Sequence, residues 1–152
     1  MSKSILRNYL EYNKRGRNKK HFDFLSTGCF RYGNKYLVSD SYSVVLLNDT
    51  RGLEIKEDSF GIGLHYWSMQ EDRVAFIELN TRLMKEDKRE TIPLGINNYE
   101  INMRLAQNII KLIKANKVEV LEHTIYDSAH PVIKISNDNT GEIGLLLPMR
   151  KY

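Results

Sequence analysis

Apolar residues recur at helical spacing in two stretches of the chain, residues 3–15 and residues 101–113. Because an α-helix turns once in about 3.6 residues, this spacing places the apolar side chains on one face. Asn97, followed three residues later by Glu100, is typical of a capping box, so we predict that the second helix begins at Asn97. Asn116 is predicted to end it. The pattern therefore predicts two amphipathic helices.

Short apolar or alternating runs follow each predicted helix and indicate β-strands. Gly33 and Asn34 are typical of a hairpin turn, and residues 44–47 are apolar without alternation, which indicates a strand covered on both faces. Asp58, Gly61 and Gly63 are predicted to break the chain, and residues 85–90 to form a charged loop or bulged hairpin. The predicted strands are 22–24, 29–32, 36–38, 44–47, 73–79, 118–120, 124–126, 132–135 and 144–147.

The order helix-then-hairpins occurs twice along the chain. When residues 5–37 are laid over residues 101–133, apolar positions coincide: Ile5 falls on Ile101, Phe22 on Val118 and Leu37 on Ile133. Identity is minimal, so chance agreement of two amphipathic patterns is the alternative explanation. We expect an α+β fold with two quasi-repeated units of a helix plus β-hairpins, in a single domain that spans residues 1–152. The half-repeats are approximately residues 1–50 and 97–152, joined by 51–96.

The overall composition is that of an ordinary globular protein. Of the 152 residues, 41% are hydrophobic and 28% charged, and no apolar run reaches the roughly 18 to 20 residues that span a bilayer. Charge interrupts the apolar residues at the N-terminus at once, which argues against a secretory signal. Cys29 is the single cysteine, so an internal disulfide is excluded and a buried, inert thiol is expected. We expect a cytoplasmic protein that does not bind membranes.

Basic residues follow the polar sides of both predicted helices, and the net charge is +4. A cationic surface of this kind attracts phosphates without reading base sequence. The alternative is that these side chains only keep the helices soluble. A further basic cluster follows the first predicted helix. The candidate nucleic-acid-binding residues are Lys3, Arg7 and Lys14 on the first helix, Arg15, Arg17, Lys19 and Lys20 in the cluster, and Arg104, Lys111 and Lys114 on the second helix.

Residues that carry chemistry are present without the spacing of a known site. His65, Glu71, Asp72 and His123 are the types of residue that divide general-base and metal-binding roles in a hydrolase. No HExxH, GxSxG or GxxxxGK[ST] motif accompanies them. We therefore predict no catalytic activity, no metal site and no cofactor.

The end of the chain is similar to the end of a known family. Leu147-Pro148-Met149-Arg150 resembles the Met-Pro-Met-Arg type tail of the bacterial sliding clamp, the DNA polymerase processivity clamp. Residues 36–40 are similar to the "Leu-x-x-Thr-Asp" element of that family, with Ser39 in place of Thr. Residues 99–112, leading into 118–120, resemble the family's second helix and the strand after it. The chain differs from the family in that Ser41, rather than an Arg, follows Asp40.

The resemblance implies a single clamp-like domain and a non-catalytic binding function. A bacterial clamp ring has six such domains, three in each chain, so one chain of this kind encircles DNA only as a homo-oligomer. The family also binds short hydrophobic peptides of partner proteins near its C-terminus, and by resemblance this groove would involve Asp40, Leu147, Pro148, Met149 and Arg150. The expected partners are DNA and such a peptide.

Two alternatives remain open at this point. One is a small basic nucleic-acid-binding regulator, of phage or mobile-element origin, which would use residues 15–20 and stack bases on the pairs Tyr66/Trp67 or Tyr32/Tyr36. The same aromatic residues are typical of cross-strand core pairs. The other alternative is an uncharacterised enzyme.

Overall fold

The computed structural model describes residues 29–39, 43–59, 61–126 and 130–150, which form a large sheet, a small sheet and three helices. This arrangement confirms the predicted α+β class. The helices are α1 (Ile62–Ser68), α2 (Thr81–Glu86) and α3 (Met103–Ile113). The strands are β1 (Cys29–Tyr32), β2 (Lys35–Ser39), β3 (Ser43–Leu47), β4 (Ile55–Lys56), β5 (Arg73–Leu79), β6 (Thr91–Pro93), β7 (Tyr99–Asn102), β8 (Lys117–His123), β9 (Val132–Ser136), β10 (Ile143–Leu146) and β11 (Met149–Arg150).

The large sheet has eight strands in the order β4-β1-β2-β3-β10-β9-β8-β5. Its strands pair antiparallel, except that β4 runs parallel to β1. Strands β1 to β3 and strands β8 to β10 each form an antiparallel meander, and the two meanders meet where β3 pairs with β10. The small sheet has the order β11-β7-β6.

One helix packs in the core on each face of the large sheet. On one face, Val45 and Leu47 of β3 pack in the same core as the buried residues of α3. On the other face, Val44 and Leu46 pack in a second core with the buried residues of α1. Because successive side chains of a strand point to opposite faces, a strand between two cores must be apolar throughout. This confirms the prediction that residues 44–47 form a strand with both faces covered.

Gly144 brings α3 close to the sheet. It lies in β10, opposite Val45 of β3 and Ile135 of β9. A Cβ atom added at Gly144 would overlap Cγ2 of Ile109 on α3. Glycine leaves room for close approach of another element at the cost of strand propensity, so the helix rests directly on the backbone of β10.

A buried carboxylate ties the start of β10 to the turn after β3. Glu142 is 4% exposed, and both of its carboxylate oxygens accept hydrogen bonds from Nη2 of Arg51, at 2.8 and 2.9 Å. Its Oε2 also accepts a hydrogen bond from the backbone N–H of Asn48 at 2.9 Å. The other terminal nitrogen of Arg51, Nη1, donates to Oδ1 of Asp49, and this hydrogen bond lowers the pKa of the Asp49 carboxyl. Buried charge is costly unless it is paired in this way.

The second predicted helix begins later than expected. Asn97 has a φ of 49° and lies with Gly95 in the turn that joins β6 to β7. Residues 99–102 alternate between buried and partly buried positions and form β7. Asn102 is the residue that caps α3, because its Oδ1 accepts the N–H of Leu105. The capping-box interpretation of Asn97 and Glu100 was therefore wrong: the period over 99–102 is that of a strand.

Three further boundaries differ from the predictions. Residues 124–126 are not a strand, because the backbone N–H groups of Ile125 and Tyr126 both donate to Nδ1 of His123. Helix α3 ends at Ile113 rather than at Asn116, and Lys114 follows as its C-cap in the left-handed conformation, with a φ of 51°. Residues 85 and 86 belong to α2, which Asn80 caps.

The turn before α1 was predicted correctly only in part. Gly61 has a φ of 71° and precedes the helix, but Gly63 lies within it. The carboxylate of Asp58 accepts hydrogen bonds from the N–H groups of Ile62 and Gly63, which satisfies donors of the first helical turn. The predicted strand 22–24, the first helix and residues 40–42 lie outside the described residues.

We predict that Gly144→Ala destabilises the fold by roughly 1 to 3 kcal/mol, because the new methyl group overpacks the contact with Ile109. Urea unfolding monitored by circular dichroism measures the change. In the background of Ile109→Ala, which removes Cγ2, the same substitution should cost clearly less. Strictly additive effects of the two substitutions would contradict this packing account.

Candidate functional site

An apolar groove of about 540 Å³ is lined by the C-terminal residues 146–150, by β7 of the small sheet and by α3. Its volume is in the range typical of ligand sites. Residues 146–150 form one wall as β10 continues into β11, and Leu105 of α3 lies in the apolar lining. The remaining lining residues are Tyr99 and Asn102 of β7 and His130, which precedes β9.

The C-terminal residues predicted from the family resemblance all lie along this groove. Leu147 and Pro148 are partly buried, whereas Met149 is 39% exposed and Arg150 is exposed. Residues 149 and 150 pair with Glu100 and Tyr99 of β7, so the wall is held by backbone hydrogen bonds. Asp40, the remaining residue predicted for the groove, lies outside the described residues.

Tyr99 organises the polar end of the groove. Its hydroxyl is hydrogen-bonded to Nδ1 of His130, and the two rings meet edge to face with their centroids 5.4 Å apart. The guanidinium carbon of Arg150 lies 5.7 Å from the centroid of the same tyrosine ring, within the range of a cation–π contact. Nη1 of Arg73 donates a hydrogen bond to the backbone carbonyl of His130 at 2.5 Å. Burial lowers the pKa of Arg73.

Helix α3 presents basic side chains on its exposed side. Arg104 and Lys111 are exposed and lie two helical turns apart, about 10 Å along the axis, while Lys114 is exposed at the C-cap. The helix contains no Asp or Glu, and none of these three side chains forms an ion pair with a residue that the structure describes. The structure thus brings together the second-helix part of the predicted basic surface. The other candidates, Lys3, Arg7, Lys14, Arg15, Arg17, Lys19 and Lys20, lie outside the described residues.

Side-chain hydrogen bonds fix both ends of α3. Asn102 caps its start, and in the second turn Gln107 donates through Nε2 to the carbonyls of Met84 and Asp87, which ties α3 to α2. At its end, Nδ2 of Asn137 donates to the carbonyls of Ile113 and Lys114, which have no partner within the helix. These contacts fix the position of α3, which carries both the exposed basic residues and the groove residue Leu105.

The candidate catalytic residues are not gathered into a metal site. Across the described ranges, His, Cys, Asp and Glu side chains form no group of three or more that could hold a metal ion. His65 lies on α1, and Nδ1 of His123 is engaged by the two backbone N–H groups that follow it. Cys29 is fully buried, as expected, and burial raises the pKa of its thiol.

The aromatic residues that the sequence offered as a base-stacking surface are divided between core and surface. Tyr66 is buried and packs edge to face on Tyr32 at 5.3 Å, and burial raises the pKa of Tyr66 to about 12. Trp67 is 49% exposed, and Tyr36 carries the guanidinium of Arg31 over its ring. Core packing of α1 on β1 accounts for Tyr66 and Tyr32.

Sequence reasoning missed five groove residues: Tyr99, Asn102, Leu105, His130 and Leu146. Tyr99 and Asn102 fall within the helix predicted to begin at Asn97, although the alternation over residues 99–102 is typical of a strand. His130 belongs to no recognised motif of the sequence. Its place beside Tyr99 depends on a tertiary contact between residues far apart in the chain, which no local pattern reveals.

Comparisons with protein-family models, with curated proteins and with solved structures found no match to this chain. Within the described ranges, no helix combines the length and the hydropathy needed to cross a bilayer.

We predict that Asn102→Ala destabilises the fold by about 1 kcal/mol, because the N–H of Leu105 loses its capping partner at the edge of the groove. Asn102→Asp is the matched control, since a carboxylate also accepts this bond and is favoured at a helix N-terminus. Thermal unfolding of the two variants beside the wild type makes the comparison. Equal destabilisation by both substitutions would show that the cap is not the relevant interaction.

Proposed function

We propose that this chain is a non-catalytic, clamp-like binding module that captures short hydrophobic peptide segments of partner proteins in the C-terminal groove. In the same proposal, the basic side of α3 contacts the nucleic-acid backbone. The observation that carries the proposal is the groove itself. Leu147, Pro148, Met149 and Arg150, chosen from the family resemblance, line one apolar groove together with Leu105.

The burial of the groove residues supports a role in peptide binding. Leu105 and Leu146 are almost fully buried, so they form a firm apolar floor. Met149 is 39% exposed at the surface of the groove. A flexible, polarisable methionine above a rigid apolar floor suits an adaptable peptide-binding surface.

The strand order supports a clamp-like arrangement. The meanders β1–β3 and β8–β10 meet where β3 pairs with β10. Outward from that junction, three consecutive strands follow one another in reverse chain order on each side. Helix α3 precedes the second meander, and the sequence predicts a helix before the first. Two such helices on one face of the sheet would extend the basic surface. Encirclement of a duplex would in addition need several copies of the chain.

The electrostatics of α3 support contact with phosphates. Arg104, Lys111 and Lys114 are exposed on a helix without acidic residues. Such a surface binds the backbone through charge and counterion release and is indifferent to base sequence.

We predict that Met149→Ser weakens binding of apolar peptides about tenfold or more, because the bound peptide would no longer bury the apolar side chain of Met149. The probes are peptides recovered by panning a random twelve-residue phage library against the full chain, with affinity measured by fluorescence anisotropy. Leu83→Ser is the matched control, since Leu83 is 64% exposed on α2. The proposal fails for peptides if both variants lose affinity equally or if no recovered peptide depends on Met149.

For nucleic acid, we predict that Arg104→Glu combined with Lys111→Glu weakens binding of a fluorescent 30-base-pair duplex at least tenfold at low salt. The slope of log affinity against log salt should also become shallower, because phosphate contacts are lost. Arg82→Glu with Lys85→Glu changes the net charge equally on α2, where both side chains are exposed, and should have a smaller effect.

The same measurement separates the alternatives. A small basic regulator would prefer one duplex in a pool of sequences and would depend on Arg17 and Lys19 more than on α3. Equal loss in the α3 and α2 variants would indicate a response to net charge only. Absence of duplex binding by the wild type would remove nucleic acid from the proposed function and leave the peptide groove to be judged separately.

A further inference from the structure

We infer that two copies of this chain associate through β5, with the two β5 strands paired antiparallel about a two-fold axis. This inference goes beyond the proposed function and is independent of it, since none of the residues that line the groove lies on β5.

Strand β5 is an exposed edge of the large sheet. It pairs with β8 on one side, and none of the other described strands pairs with it on the other side. Val74 is 55% exposed and Phe76 is 58% exposed, and no charged residue lies between Arg73 and Glu78. Edge strands usually carry charged residues or proline, which prevent pairing with another chain. The apolar centre of β5 lacks this protection and is suited to pair with a further strand.

A β-bulge in the middle of β5 places its two charged residues on one face of the sheet. Arg73 lies opposite His123 of β8, and Glu78 lies opposite Glu119. His123 and Glu119 are four residues apart in one strand, so they share a face, and directly opposite residues of an antiparallel pair lie on the same face. Without the bulge, residues 73 and 78 are five apart and would point to opposite faces.

The bulge makes β5 complementary to itself. In an antiparallel pair of two β5 strands, Arg73 of each copy lies opposite Glu78 of the other copy, and Val74 lies opposite Ile77. Val74 and Ile77 also share a face, because their partners in β8 are two residues apart. Each of these pairs therefore joins residues of the same face, as a two-fold axis normal to the sheet requires.

The charges on β5 favour a second copy of this chain over an unrelated strand. Glu78 is exposed and lies opposite Glu119, and neither Glu78 nor Arg73 forms an ion pair with a residue that the structure describes. The Nε atom of Arg73 is buried without a hydrogen-bond partner. Like charges directly opposite each other destabilise a sheet, whereas opposite charges stabilise it. A second copy would supply a cation to Glu78 and a carboxylate to Arg73.

Apolar surface continues beyond the start of β5. Thr124 donates to the carbonyl of Asp72 through its backbone N–H and its hydroxyl, which holds the residues after β8 beside this end of the strand. Ile125 and Tyr126 are 61% and 64% exposed there. Stable interfaces bury roughly 1,200 to 2,000 Å² in total, so a dimer needs contacts beyond the strand pair. These side chains are available to enlarge the contact.

The test is sedimentation equilibrium of the full chain at low salt, from about 1 μM to about 0.1 mM. The wild type should reach twice the chain mass of 17.8 kDa. Phe76→Lys and Glu78→Arg should each weaken association about tenfold or more, because a charge enters the apolar centre or an arginine then faces Arg73. Leu83→Lys and Glu86→Arg are the matched controls, since they change the net charge equally at exposed positions of α2, and should leave association unchanged.

A mixture of two variants tests the register. Glu78→Arg and Arg73→Glu each place like charges opposite one another in their own dimer, whereas a mixed dimer restores both contacts between opposite charges. The equimolar mixture should therefore associate about tenfold more strongly than either variant alone. Circular dichroism checks that each variant folds. If Arg73→Glu does not fold, the comparison of Glu78→Arg with Glu86→Arg decides the question.

Each result supports or overturns the inference. A wild type that stays monomeric over this range would overturn it, even if the monomer pairs with a strand of another protein. Equal weakening by Glu78→Arg and Glu86→Arg would show a response to net charge only, and the inference would fail. Assemblies larger than a dimer would contradict a closed two-fold contact. The peptide and duplex measurements judge the proposed function separately.

Discussion

The direct contact between α3 and the backbone of β10 is the constraint on which the rest of the structure depends. Gly144 has no side chain to separate the two elements, and Ile109 occupies the space that a Cβ would need. Because β10 leads directly into residues 147–150, the packing of α3 on β10 also positions Leu105 relative to these groove residues. A local packing detail in the core therefore determines a surface feature.

Polar contacts at the ends of the elements complete this arrangement. Glu142 and Arg51 join the start of β10 to the turn after β3, and Asn137 joins the end of α3 to the residues after β9. Apolar packing is not directional, whereas these hydrogen bonds require particular atoms at particular distances. We infer that the apolar cores supply most of the stability and the polar contacts specify the register between helix and sheet.

Helix α3 contributes to both surfaces of the proposed function. Its first turn supplies Leu105 to the groove, and its exposed side carries Arg104 and Lys111. A peptide in the groove and a phosphate backbone on the exposed side would thus be bound by the same rigid element. Neither surface requires recognition of base sequence, which is consistent with a module that holds partners together rather than one that selects a genomic site.

Local patterns in the sequence predicted the strands β1, β2, β3, β5, β8, β9 and β10, because each is an apolar or alternating run bounded by turn residues. They also predicted the buried face of α3. They misplaced its start, because Asn97 and Glu100 fit a capping box, whereas the alternation over residues 99–102 and the pairing of β7 with β6 belong to a strand.

The groove was predicted along one wall only. Residues 147–150 form a contiguous run that can be recognised in the sequence, whereas Tyr99, Leu105 and His130 reach the site from separate elements. The sequence by itself determined the α+β class, most strands and the basic side of α3, since these depend on periodicity and charge within short stretches. The tertiary structure alone decided the opposite wall of the groove, because that wall depends on which distant segments pack together.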